Sequence, residues 1–147
     1  MQRTAFERGN AVALIVAVAM VLTVFVAPGR TAATRRGCAL NVLGPFVESS
    51  FAPHGIWGGA NYNCTRKHRP RSLKVCLQRE SVSGFVNVKC DTLKESGPAA
   101  QIPAGGGFFG PRKSCPIKDS RWRTWARARA GSHGPVVRTS AAVRRDC

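Results

Sequence analysis

From position 121 to 129 every second residue is an arginine except the middle one, a tryptophan: Arg121, Arg123, Trp125, Arg127 and Arg129. Along an extended strand this period puts all five side chains on one face, about 6.5–7 Å apart. Trp122, Thr124, Ala126 and Ala128 then take the other face. A guanidinium grips phosphate, sulfate or carboxylate through two parallel hydrogen bonds, and its plane stacks on aromatic rings. The ladder therefore has the chemistry to hold an anionic polymer. Arg66, Lys67, Arg69 and Arg71 form a second basic cluster in a proline-containing segment, and Arg144-Arg145 a third. The partners such clusters fit are anionic cell-wall polymers, polysaccharides or nucleic acid, held through charge and without sequence selectivity. A helix over 121–130 would instead gather Trp122, Trp125 and Arg129 into a membrane-surface peptide. Gly131 and the alternation of alanine with arginine favour the strand.

The whole chain is basic. Its 147 residues carry 23 Lys+Arg against 7 Asp+Glu, a formal net charge of +16, and arginine outnumbers lysine 17 to 6. Such a surface also keeps a small exported domain soluble, so charge by itself is equally consistent with general adhesion to anionic surfaces.

Catalytic chemistry has little to work with. His54 and His133 lie in glycine-containing turns, and no Gly-x-Ser-x-Gly elbow accompanies them. Glu48, Glu80, Asp91, Glu95, Asp119 and Asp146 would have to supply a glycosidase pair. Amid so many cations, each is expected in a surface ion pair instead. The stretch Gly105 to Ser114 resembles a phosphate-binding loop, but Pro111 and Arg112 separate Gly110 from Lys113-Ser114. The expectation is a noncatalytic protein with no cofactor, no metal and no small-molecule substrate.

The six cysteines, Cys38, Cys64, Cys76, Cys90, Cys115 and Cys147, have no close pair; even Cys64 and Cys76 are separated by eleven residues. Tetrahedral zinc is usually gripped by closely spaced pairs, so this set reads as three disulfides in an oxidising compartment. All six follow a leader. Residues Ala11 to Ala27 are apolar apart from Thr23, Arg3 and Arg8 precede them, and Pro28-Gly29 and Thr31-Ala32-Ala33 follow. A basic head, an apolar middle and small residues at the end match a secretory signal peptide, with cleavage expected after Ala33. The alternative is a retained anchor, since about 17 apolar residues suffice for a thin membrane span. A buried core helix would need burial on every side, which the rest of the chain is too short to provide. Residues 1–33 are thus read as leader or anchor, and 34–147 as one basic domain, secreted or held outside the cytoplasm.

Within that domain, period-two alternation marks half-buried strands. Leu73, Val75 and Leu77 share one face, with Lys74, Cys76 and Gln78 on the other. Phe85 to Cys90 alternates likewise, across a turn at Glu80–Gly84. Further strands are expected over Ala39–Val47, Gly55–Asn63, Trp122–Ala130 and Val136–Val143, with a loop through Pro98, Pro103 and Gly105–Gly107. Short strands between glycine and proline turns argue for an all-β antiparallel sandwich stapled by disulfides. Six cysteines allow fifteen pairings. A hairpin centred on Ser83 sets Cys76 opposite Cys90, leaving Cys38–Cys64 and Cys115–Cys147 as the remaining nested choice. That register also sets Val75 against Asp91 and Leu77 against Lys89, so a bulge is expected near Ser83-Gly84 to reconcile the apolar faces.

The segments Leu73-Lys-Val-Cys-Leu-Gln-Arg79, Gly84-Phe-Val-Asn-Val88 and Arg123-Thr-Trp-Ala-Arg127, closing on Cys147, resemble a group of uncharacterised small secreted disulfide-bonded proteins of actinobacteria. The resemblance spans roughly Cys38 to Cys147. It implies a β-sandwich distantly similar to immunoglobulin and fibronectin type III modules, and an exported location; it implies no activity, since fold does not fix function. The expected role is noncatalytic binding of anionic polymers or surfaces outside the cell. The alternatives are a membrane-active, toxin-like secreted protein and a membrane-anchored extracytoplasmic domain.

Overall fold

The computed structural model describes residues 31–35, 37–48, 54–65, 68–97, 99–114, 119–131 and 134–145. These form ten strands and no helix: β1 (Thr31–Arg35), β2 (Cys38–Glu48), β3 (Gly55–Cys64), β4 (Pro70–Ser81), β5 (Gly84–Lys94), β6 (Gln101–Ile102), β7 (Arg112–Ser114), β8 (Ser120–Ala130), β9 (Val136–Thr139) and β10 (Val143–Arg145). They make two antiparallel sheets packed face to face. Sheet A runs β1-β2-β3, with β6 and β7 both on the free edge of β3; sheet B runs β8-β4-β5, with β9 and β10 both along the free edge of β8. The all-β expectation therefore holds. The apolar segment 11–27 lies outside the described residues, and the expected cleavage position after Ala33 falls within β1.

Alternation sorts each strand into an inner and an outer face. Leu40, Val42, Ala60 and Tyr62 from sheet A meet Leu73, Val75, Ala126 and Ala128 from sheet B, all at most 2% exposed. Ile56, Leu77 and Trp122 form a smaller apolar cluster with Val47 and Val88 at its margin. The sheets approach closely at Gly58, where a Cβ would collide with the Thr124 hydroxyl and the Leu77 side chain. Only glycine fits there. Arg145 adds a polar tie between the layers, its Nε donating to the Pro45 carbonyl at 3.2 Å.

Two disulfides are formed, Cys38–Cys64 and Cys76–Cys90, both as the hairpin argument anticipated. Each joins residues directly opposite one another on neighbouring strands, the first between β2 and β3, the second between β4 and β5. Such bonds suit an oxidising environment. Cys115 and Cys147 lie outside the described residues. Both of these bridges stay within a sheet, so among the described residues the layers are joined by apolar packing and the Arg145–Pro45 bond.

Two local expectations are corrected. The bulge in the β4–β5 hairpin lies between Leu77 and Gln78, opposite Val88, rather than at Ser83-Gly84. The extra residue turns the Val88 side chain into the smaller core cluster, while the register at Cys76 and Cys90 is kept. The Val136–Val143 segment is two strands, because Ser140 interrupts the ladder: its N–H donates to the Thr124 carbonyl, and its hydroxyl accepts the Thr124 N–H. The expected loop through Pro103 and Gly105–Gly107 is present; on either side of it β6, the Ala60–Phe109 bridge and β7 run along the open edge of β3, and Pro98 lies outside the described residues.

Candidate anion-binding face

Residues 120–130 are a strand, so the helical reading that gathered Trp122, Trp125 and Arg129 falls. Trp122 is buried at 1% exposure, while Trp125 lies on the outer face with the arginines. The expected ladder of Arg121, Arg123, Trp125, Arg127 and Arg129 is thus assembled on the outside of sheet B. Strand pairing adds neighbours that period alone did not reveal. β4 lies between β8 and β5, so these three strands form a grid on the outer face, with β9 and β10 bordering it along the other edge of β8.

The register orders the grid in rows. Arg129 faces Ser72, which faces Lys94; Arg127 faces Lys74, which faces Thr92; Trp125 faces Cys76, which is bonded to Cys90; Arg123 faces Gln78, which faces Asn87. At the far end Arg121 meets Glu80, itself opposite Phe85. The disulfide and Trp125 form an uncharged middle row that divides the face in two.

The two halves differ in how their charge is met. Arg121 pairs with Glu80 at 2.9 Å. Arg123 donates from Nε to Gln78 Oε1 at 2.7 Å, Gln78 in turn donates to Asn87 at 2.8 Å, and the guanidinium lies 4.1 Å from the centre of the Phe85 ring. These two arginines are held by their neighbours. Among the described residues the other half has no such compensation. Lys74, Lys94, Arg127 and Arg129, with Ser72 and Thr92, line a hollow of about 250 Å³. The described ion pairs, Arg112–Glu48, Arg121–Glu80 and Arg144–Asp119, all lie elsewhere. Two unit charges about 6 Å apart repel by roughly 0.7 kcal/mol even in water. Lys74 and Arg127, directly opposite, therefore oppose their own strand pairing.

Of the second predicted cluster, Arg69 is exposed just before β4, and Arg71 sits in an irregularity of β4 between Pro70 and Ser72, at the same end of the sheet as Arg129. Arg66 and Lys67 lie outside the described residues. Arg144, of the third, is exposed on β10 and reaches Asp119 at 3.4 Å. A somewhat larger hollow of about 310 Å³ is lined, among the described residues, by Gly37–Ala39 and Asn63–Thr65, none of them charged.

The outer face of sheet A is different in kind. Asn41 and Asn63 both donate to Asn61, Phe46 packs on Trp57 with ring centres 4.8 Å apart, and Arg112 is paired with Glu48 at 2.9 Å. Apart from Arg35, Arg112 and Lys113, the cations in the described strands belong to sheet B. Among the described residues no three His, Cys, Asp or Glu side chains converge as metal ligands; His54 is exposed and His133 lies outside them.

No family model, curated protein or solved structure matches this chain, so the chemistry of the face rests on its own geometry.

Proposed function

We propose that this chain is an exported, noncatalytic binding domain whose sheet B carries anionic polymers on its outer face. The observation that carries the reading is the gathering of Lys74, Lys94, Arg127 and Arg129 around one hollow with no carboxylate partner among the described residues. Surface cations kept for solubility are normally interspersed with carboxylates. Here three strands contribute to one basic patch, with Arg121 and Arg123 extending it beyond Trp125. The binding role is the same whether the leader is removed or kept as an anchor.

Chromatography of the disulfide-bonded domain on immobilised heparin tests this. Retention is expected and should weaken with salt, because each polymer charge that is neutralised releases a counterion. Serine at Arg127 and Arg129 should lower the eluting salt more than serine at Arg121 and Arg123, which already have protein partners. Passage through the resin at low salt would remove the proposal. Leakage of dye from anionic liposomes, with no retention on heparin, would favour the membrane-active alternative in its place.

A further inference from the structure

We infer that the hollow bounded by Ser72, Lys74, Thr92, Lys94, Arg127 and Arg129 is a site for one tetrahedral oxyanion group, a phosphate or sulfate ester carried by the polymer. The inference rests on the polyanion-binding reading and specifies the group that is recognised. Two rows of the grid make the site. In one, Ser72 lies between Arg129 and Lys94; in the other, Lys74 lies between Arg127 and Thr92. Neighbouring strands are about 4.8 Å apart, and successive outward residues about 6.5–7 Å apart, so the six residues border a patch of about 10 Å by 7 Å, across which the long Lys and Arg side chains can converge on one such group.

Charge and donor count define the ligand. Four cations meet there, two of them directly opposed across the β4–β8 ladder, and an anion between them would turn mutual repulsion into shared attraction. The two hydroxyls add donors between and beside the cations. Phosphate and sulfate offer three or four oxygens in a tetrahedron and can occupy donors arriving from three strands. A carboxylate has two oxygens in one plane and leaves part of the set unused. Arginine contributes the bidentate contact and lysine the point charge.

The test is thermal unfolding of the disulfide-bonded protein with inorganic phosphate, against acetate at equal ionic strength. At a phosphate concentration about tenfold above Kd, Tm should rise by about 5 °C, and acetate should produce no such rise. Lys74→Thr keeps a strand-forming residue and should raise Tm without phosphate, by relieving repulsion, while abolishing the phosphate increment. Arg127→Gln, exposed on the same row, gives a second reading should Lys74→Thr fold poorly. Heparin should occupy the site and erase the increment, whereas phosphatidylglycerol vesicles should leave it, which separates a polymer from a lipid source. Equal stabilisation by acetate, or a full phosphate increment in both variants, would overturn the site. Were heparin retention to persist in that case, the broader binding face would stand and only this pocket would fall; loss of retention by the unmodified protein would take both.

Discussion

Lys74 and Arg127 are opposed on the same face of two paired strands, an arrangement that costs stability and that a face built only for solubility would avoid. Local rules are broken most often where a site needs them broken. Arg121 also faces a cation, Arg144, across its ladder, but Glu80 and Asp119 compensate that pair, and Gln78 holds Arg123. A second breach lies in the interior. Thr124 is fully buried, yet among the described residues its hydroxyl finds no hydrogen-bond partner, and neither does the indole N–H of Trp122. Leaving a buried hydroxyl unpaired costs about 1–3 kcal/mol. Thr124→Val keeps the shape and removes the orphan, so urea unfolding should show a gain of about 1 kcal/mol. A loss of similar size would mean that the hydroxyl is satisfied after all. Because Val lacks charge and faces inward, heparin retention should not change.

Among the elements, β8 was the most legible, because nine residues of strict alternation fix which side chains share a face. The sequence could also place Lys74 opposite in phase to Leu73, Val75 and Leu77. What it could not show was that β4 lies beside β8, about fifty positions away in the chain, since that pairing depends on the assembled sheet. Lys94 and Thr92 escaped notice for the same reason: they reach the hollow only once β5 is laid against the far side of β4. The hairpin shows the opposite case. Cysteine spacing gave the right register, and the apolar mismatch correctly demanded a bulge, but its position depended on where the core had room for Val88. The two described disulfides, finally, stiffen strand pairs without clasping the layers. Replacing Cys76 and Cys90 together by alanine opens a link of sequence separation 14, and Cys38 with Cys64 one of 26. Each loss should cost about 3 kcal/mol in urea unfolding, slightly more for the longer loop, with the two-sheet fold retained. Collapse of the fold in either double variant at 25 °C would show that the bridges carry more of the structure than packing does.

At the scale of the molecule, the two outer faces have become different surfaces. Sheet A presents amides, an aromatic pair and a compensated arginine; sheet B presents basic rows with one end uncompensated. A net charge of +16 would draw any basic protein towards anionic surfaces. On the proposed reading, binding is instead concentrated at one end of one sheet. Position must therefore matter as well as charge. The most direct measurement compares two variants of equal charge on immobilised heparin. One replaces Lys74, Arg127 and Arg129 by serine; the other replaces Lys89, Lys113 and Arg138, which are exposed away from the hollow. The first should elute at much lower salt than the unmodified protein, and the second close to it. Equal shifts in the two variants would contradict the account and leave only the total charge to explain binding.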